Sequence, residues 1–232
     1  MDSLQNFLAH FNIVLLIDLL IHVGAVLLCV VVHEMSHGLA AHLLGDPTAK
    51  HAGRLSLNPL KHIDLMGFLM MLVVHVGWAK PVPVDMRRFK SPKRDMALTA
   101  LAGPASNFLF ATVALWFANL ALTPDFAHAG DLRRYIVAAL CWTAVLSVSL
   151  GLFNLIPIPP LDGSRLVLSV LPDRLYYGYL RYERYLIILV IALAWFGFFS
   201  EPLSVCIGWV LKGLCSVSGF PFVVLQYWFG LY

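Results

Sequence analysis

Two long stretches of this sequence contain no charged residue. Residues 97–122 and residues 135–161 lack Asp, Glu, Lys and Arg throughout, and each exceeds the 20 or so residues that a helix needs to cross a hydrocarbon core of about 30 Å. The chain of 232 residues is 60% hydrophobic and only 12% charged, whereas a soluble domain is roughly 25% charged. We therefore predict an integral membrane protein rather than a soluble or a disordered one.

Further apolar stretches flank these two. Residues 12–44 are predicted to form one long helix that ends at Gly45-Asp46-Pro47, because glycine and proline stop a helix. Toward the C-terminus, residues 185–200 and residues 213–232 are also uncharged, and one Glu and one Lys lie between them. We interpret these two stretches as further spans on either side of a charged boundary.

The predicted fold is an all-α polytopic membrane protein with about five to six transmembrane helices. No internal repeat, low-complexity tract or Gly/Ser linker divides the chain, so residues 1–232 are expected to form a single domain. Its core is expected at about residues 12–172, and C-terminal helices at about residues 177–232.

A basic segment precedes the first charge-free stretch. Six of the sixteen Lys and Arg residues fall within residues 80–94, and by the positive-inside rule this loop lies in the cytoplasm. Residues 97–122 then run outward and residues 135–161 return, which places Pro157 to Gly163 at the cytoplasmic side. Because the formal net charge of +3 is concentrated in this loop, nucleic acid is not an expected partner.

Residues 65–79 are apolar but too few for a comfortable crossing, and they fit a re-entrant element better. Short alternating stretches flank them at residues 54–59 and 82–84, and each could form a strand. Exposed sheet edges do not persist in lipid, so such a β-hairpin must lie against protein or line a wet cavity. We predict this membrane-embedded hairpin between the first two core helices.

The pattern His33-Glu34-Met35-Ser36-His37 places two histidines four residues apart on the predicted first helix. Residues four apart share a helix face, so both imidazoles can bind one metal ion. Zinc favours imidazole nitrogen, and Glu34 lies close enough to act as general base toward a water at the metal. A structural role for three ionisable groups within a membrane helix is the weaker interpretation, because such groups are costly there.

A catalytic zinc site needs a third protein ligand from elsewhere in the chain. Asp162 is the best candidate, because three prolines just before it must interrupt the helix and thus imply a polar cavity. An interfacial turn is the alternative reading of Asp162. His42 follows His37 by five residues and so faces another way. The rivals for the third ligand are Asp64, His62 and His75.

Together these motifs resemble the site-2 protease family of zinc intramembrane metalloproteases. The family has H-E-x-x-H on one membrane helix, here His33 to His37, and N-x-x-P-x-x-x-L-D-G on a later one, here Asn154 to Gly163. The resemblance covers roughly residues 30–170 and fits the compact bacterial and archaeal branch, whose active site lies near the cytoplasmic face. Further matching stretches are Gly45 to Ala49, Gly53 to Pro59, Gly77 to Val84 and Ala102 to Asn107.

The resemblance implies roles for individual residues. His33, His37 and Asp162 are expected to hold one Zn²⁺ per chain, and Glu34 is expected to be the catalytic base. Asn154 is expected beside the metal, where it would hold the substrate or the oxyanion. Asp85 stands where the family pattern has an asparagine, and this departure concerns only a local contact.

The implied activity is hydrolysis of peptide bonds within or near transmembrane helices of other membrane proteins, as in regulated intramembrane proteolysis. The expected partners are such a substrate helix and the lipid bilayer, and the expected location is the cell membrane of a prokaryote. Two other classes stay open: a carrier or sensor that holds zinc without hydrolysis, and an inactive relative that binds transmembrane segments. Glu34 counts against both, and the lack of a second acidic or histidine cluster along a path across the bilayer counts against the carrier.

Overall fold

The computed structural model describes residues 13–64, 67, 79–123, 130–172, 178 and 186–231. Within them the regular elements are helices, so the all-α prediction is confirmed. Short 3₁₀ helices lie at Pro59–Lys61 and Met86–Arg88. In chain order the α-helices are α1 (Ile13–Leu43), α2 (Thr48–His51), α3 (Pro92–Ala121), α4 (Gly130–Asn154), α5 (Asp162–Ser169), α6 (Leu186–Trp195), α7 (Ser200–Ser218) and α8 (Phe222–Phe229).

Helix α1 ends where the sequence predicted. Gly45 has φ of 107°, in the left-handed region that glycine reaches without strain. The amide of Asp46 donates to the carbonyl of Ala41, and that of Gly45 to the carbonyl of His42. These two bonds satisfy carbonyls that a helix end leaves unpaired, so the chain turns sharply away just after the motif that carries His33 and His37.

Helices α3, α4 and α7 enclose the main apolar core. Their contact positions carry small or medium side chains, so the helices approach one another closely. Helix α1 packs against both α3 and α4. This packing sets His33 and His37 of α1 at the edge of the core. The most deeply buried members of the core are Ala111, Leu115 and Ala118 from α3, Cys141, Ala144 and Val148 from α4, Leu211 from α7 and Leu225 from α8.

Prolines separate α4 from α5. Helix α4 ends at Asn154, and the chain then passes through Pro157, Pro159 and Pro160 before α5 begins at Asp162. Proline lacks the amide that a helix interior uses, so this interruption is the one that the sequence predicts. Helix α5 packs on α3, and this contact returns Asp162 toward α1.

The C-terminal part differs from the prediction of two spans at residues 185–200 and 213–232. Glu201 and Lys212, which we expected between the two spans, both lie within α7. They are eleven residues apart, three helical turns, so both occupy one exposed face of the helix. The chain turns instead at Gly219, where φ is 76°, and only eight residues follow in α8.

Three helices are long and apolar enough to cross a membrane: α1, α3 and α4. A fourth span is possible if α6 and α7, which meet at 82°, act as one broken crossing. The described residues therefore hold three or four candidate spans, and the expected five to six are not confirmed. The hairpin is not confirmed either, since the described part shows only an isolated antiparallel bridge between Ile63 and Ala79, and residues 65–66 and 68–78 lie outside it.

Candidate metal centre

His33 and His37 lie one turn apart on the face of α1 that packs against α3. Both are buried, with exposed fractions of 4% and 9%. Their Nε2 atoms are 3.0 Å apart. The ring nitrogen Nδ1 of His37 donates to the carbonyl of Thr99 on α3, at 2.7 Å. A carbonyl only accepts, so Nδ1 carries the proton, and Nε2 is the ring nitrogen that could bind a metal ion.

Asp162 reaches the same point from the start of α5. Its Oδ2 lies 3.1 Å from Nε2 of His33 and 3.1 Å from Nε2 of His37. Two glycines make this approach possible. A Cβ on Gly163 would overlap the backbone at Leu155, and a Cβ on Gly103 would lie 2.7 Å from Cε1 of His33 and closer still to the His37 ring.

The three donor atoms fit a single tetrahedral cation. Ligand atoms about 2.0 Å from a tetrahedral zinc ion stand about 3.3 Å apart, and the three separations here are 3.0, 3.1 and 3.1 Å. Oδ2 of Asp162 and Nδ1 of His33 are buried without a hydrogen-bond partner among the described residues. Buried polar atoms are seldom left so, and a cation at the centre would satisfy the carboxylate oxygen. Among the described residues, these three form the group whose ligand atoms could hold one metal ion.

Glu34 lies beside this group and contacts a different part of the chain. Its Oε2 accepts a hydrogen bond of 3.1 Å from the main-chain N–H of Val82. Val82 belongs to the extended segment that follows the bridge at Ala79. This contact could not be predicted from the sequence, because every residue type except proline has a main-chain N–H.

A cavity of about 570 Å³ opens next to His33 and Glu34. Asn154 contributes to its wall, and its amide nitrogen donates to the carbonyl of Leu150 at 3.0 Å. The remaining wall is mainly apolar and comes from several helices. Its members include Val26, Leu27 and Val30 of α1, Leu150 and Phe153 of α4, and Ile187 of α6.

His62 and Asp64, two of the rival ligands, do not join the metal group. His62 is 1% exposed and lies in the cavity wall, but one ring nitrogen is bonded to the carbonyl of Ser56 at 2.8 Å. Asp64 also lines the cavity, and its carboxylate accepts from the amide of Gly67. His42 is not part of the group, as its spacing predicted, and His75 lies outside the described residues.

A fully buried carboxylate, which the sequence analysis did not single out, ties the end of α1 to the loop before α3. Asp46 accepts from the hydroxyl and amide of Thr48 and, at 2.7 Å, from the amide of Asp85. Burial raises the pKa of Asp46, but these hydrogen bonds and the nearby Arg88 outweigh it, so the pKa lies below its usual range. The carboxylate stays ionised and fixes the loop that carries Val82.

Asp85 keeps the function of a capping residue. Its side chain accepts from the amide of Arg87 at the start of the 3₁₀ helix. Asparagine caps a helix about as well as aspartate does, so the departure from the family pattern preserves this local contact. Hydrogen bonds from Arg87 also lower the pKa of Asp85.

Comparison with known sequences reaches the same part of the chain. A sequence model described as peptidase family M50 matches residues 21–129 and residues 125–196. These ranges include His33, Glu34, His37 and Asp162. No solved structure matches the chain.

Several curated proteins are similar to this chain. "Putative zinc metalloprotease YwhC" of Bacillus subtilis is 38% identical over 140 residues, which is 60% of this chain and 64% of that protein. "Putative zinc metalloprotease Rip2" of Mycolicibacterium smegmatis is 30% identical over 59% of this chain and 52% of that protein. "Putative zinc metalloprotease Rip2" of Mycobacterium tuberculosis is 27% identical over 56% of this chain and 49% of that protein. The matched region thus spans less than two thirds of each relative.

Proposed function

This chain belongs to peptidase family M50, the site-2 protease family, and from that premise we propose that it is a zinc-dependent intramembrane endopeptidase. The observation that carries the proposal is the convergence of three ligand atoms, from two helices far apart in sequence, to within 3.1 Å of one another beside Glu34. The names of its relatives favour zinc as the ion. A cavity next to the site provides room for a peptide segment.

The proposed ligands are His33, His37 and Asp162, two nitrogens and one oxygen, a donor set that suits zinc and leaves a fourth position open. A zinc ion there would polarise a peptide carbonyl and lower the pKa of water. His37 is held for this role by its bond to the carbonyl of Thr99, which fixes the tautomer and the ring plane. Such partners of a ligand histidine typically change metal affinity by about 10–100-fold when they are lost.

Glu34 is the proposed general base. It takes the proton of the attacking water at one carboxylate oxygen and later gives it to the leaving amine. Asn154, in the wall of the same cavity, is proposed to hold the substrate main chain or the developing oxyanion. Its amide nitrogen has a second hydrogen that is free to donate after the bond to Leu150 is made.

The proposed substrate is a transmembrane segment of another membrane protein. The wall of the cavity is mainly apolar, which fits the side chains of such a segment better than those of a soluble peptide. An intact helix holds its carbonyls in internal hydrogen bonds, so the segment must unwind before attack, and helix-weakening residues should favour cleavage. We place the enzyme in the cell membrane of a prokaryote with its site toward the cytoplasm, in a role of regulated intramembrane proteolysis.

The test is cleavage of a panel of single-span model substrates by the purified protein in proteoliposomes, with zinc measured by elemental analysis. Wild type should cut at least one substrate and contain about one zinc per chain. Glu34→Gln, which keeps the shape of the side chain but is not a base, should keep the zinc and lose cleavage. Asp162→Ala should lose most of both.

Three other outcomes would contradict parts of this proposal. Zinc in both wild type and Glu34→Gln without cleavage of any substrate would favour the carrier or the substrate-binding relative. Cleavage that persists in Glu34→Gln would remove Glu34 from its role. Full zinc content and activity in Asp162→Ala would make Asp64 the next ligand to test.

A further inference from the structure

We propose that the main-chain N–H of Val82 is the positioning group of the catalytic base: it holds Oε2 of Glu34, so that Oε1 takes the proton of the attacking water. The inference deepens the proposed function and rests on it. It starts from the hydrogen bond of 3.1 Å that joins these two residues across 48 positions of sequence.

The sequence around Val82 singles out this one donor. Its neighbours Pro81 and Pro83 have no N–H, and the amide of Lys80 donates to the carbonyl of His62 at 2.8 Å. From residue 80 to residue 83, Val82 is therefore the only position whose amide can bond to Glu34. A continuous series of main-chain hydrogen bonds therefore cannot form at residues 81–83, and the bond from the amide of Val82 to Glu34 is a single contact.

Helix α1 is shaped to receive Val82. Gly38 lies one turn after Glu34 on the same face. A Cβ at Gly38 would lie 3.3 Å from Cγ1 of Val82 and 2.8 Å from Cδ2 of Leu55. The missing side chain thus lets the valine side chain pack on the helix at Gly38 while its amide reaches Glu34. Two independent features of α1, a carboxylate and a glycine, meet the same residue.

The segment is also held on both sides of Val82. Before it, Ala79 pairs with Ile63, and Lys80 bonds to His62. After it, the amide of Asp85 donates to the buried carboxylate of Asp46 at 2.7 Å. Because both flanks are fixed to the rest of the protein, the amide of Val82 has a defined position. A donor that is fixed in advance can orient a carboxylate without reorganisation during the reaction.

The consequence for Glu34 is a division between its two oxygens. A glutamate side chain has several rotatable bonds and would otherwise sample several positions. With Oε2 bonded to Val82, the carboxylate keeps one orientation, and Oε1 remains for the water. The structure thus makes Val82 a positioning residue that acts through Glu34 and need not touch the substrate.

The first test measures the bond itself and needs no substrate. Amide hydrogen exchange of the full-length protein is followed in detergent, with selective ¹⁵N-valine labelling to resolve Val82. The Val82 amide should be protected in wild type and in Glu34→Gln, whose amide oxygen still accepts, and should exchange about tenfold faster or more in Glu34→Ala. Equal rates in wild type and Glu34→Ala would overturn the proposal. This result is independent of whether the protein proves to be a protease.

The second test separates positioning from folding. Val82→Pro removes the N–H, and the matched control Val84→Pro removes an amide for which no described residue provides an acceptor. On a model substrate that wild type cuts, Val82→Pro should lower kcat about tenfold or more, with KM and zinc content unchanged. The control Val84→Pro should stay near wild type. Unchanged kcat in Val82→Pro would contradict the proposal, and where Val82→Pro loses zinc, the exchange measurement decides.

Discussion

At the scale of single residues, the candidate metal centre depends on Gly103 having no side chain as much as on the side chains that form the centre. Gly103 of α3 lies against both ligand histidines, and any Cβ there would overlap the ring of His37. Both histidines are buried on a packed helix face, so neither ring can withdraw without displacing its neighbours. Gly103 therefore sets the space in which the three ligand atoms meet.

Replacement of Gly103 by alanine tests this dependence. Gly103→Ala should lower metal affinity by about 10–100-fold, the range typical of changes beside metal ligands, because the methyl group must push His33 or His37 away from Asp162. Competition with a zinc chelator measures the affinity. Gly24→Ala is the matched control, since a Cβ at Gly24 of α1 meets nothing within 4 Å. Wild-type affinity in Gly103→Ala would contradict the argument.

The sequence predicted which side chains form the candidate site but not what holds them in place. Two histidines at helical spacing with an intervening glutamate have few other uses in a membrane helix, and proline before Asp162 marks broken backbone at that depth. The structure brings these residues together. The carbonyl of Thr99 and the amide of Val82 were not predicted, because any residue type supplies the same main-chain groups.

At the scale of elements, the end of α1 and the loop before α3 act as one unit. The buried carboxylate of Asp46 accepts from Thr48 on one side and from Asp85 on the other. Arg88, 3.8 Å away, is half exposed and adds little. Asp46 thus sets the distance between the metal-binding helix and the segment that carries Val82.

We expect Asp46→Asn to destabilise the protein by about 1–3 kcal/mol at neutral pH, because asparagine cannot accept all of these bonds. The pKa of Asp46 is lowered by folding, so its contribution is complete above the unfolded value of about 3.9 and is lost as the pH falls through the folded value. The difference in stability between wild type and variant should therefore be constant from pH 7 to about 5 and shrink below about 4. Thermal unfolding in detergent at each pH measures it.

Asp85→Asn is the matched control for Asp46→Asn. This variant removes a negative charge from the loop that Asp46 contacts, but it keeps an N-cap acceptor for the amide of Arg87. The stability of the variant should therefore stay close to that of wild type. If both variants lose the same stability, the loop charge and not the buried carboxylate of Asp46 is responsible.

The elements were predicted well where composition alone decides and less well elsewhere. Charge-free stretches correspond to α3 and α4, and the glycine stop corresponds to the end of α1. The sequence did not locate the boundary between the C-terminal spans, because Glu201 and Lys212 share an exposed face of α7. A few charges along one face do not end a helix, whereas Gly219 and Pro221 do.

At the scale of the whole molecule, the metal centre joins parts of the chain that are far apart in sequence. His33 and His37 belong to α1, and Asp162 begins α5 after two further long helices. An ion bound by all three would link α1 to α5, which are separated in sequence by α3 and α4. Binding that exists only in the folded state stabilises it in proportion to ligand concentration.

Removal of the metal should therefore lower the melting temperature of the whole protein. At a free ion concentration of about 100 times Kd, the expected loss on chelation is about 2.7 kcal/mol, and added zinc should restore it. Asp162→Ala is the control, because it should melt lower than wild type and respond little to chelator. A wild-type melting temperature that chelation does not change would show that the three residues hold no stabilising ion.

The orientation in the membrane is the last expectation, and two exposed positions decide it. Lys90 lies in the basic loop before α3, and Asp131 lies at the first turn of α4 after the chain has crossed once. With exposed Cys206 replaced by serine, Lys90→Cys should react with a membrane-impermeant maleimide only in inside-out vesicles, and Asp131→Cys only in right-side-out vesicles. The contrast between the two controls for vesicle leakage. Reversed labelling would open the metal centre to the outer side, and labelling of both from one side would mean that α3 does not cross the membrane.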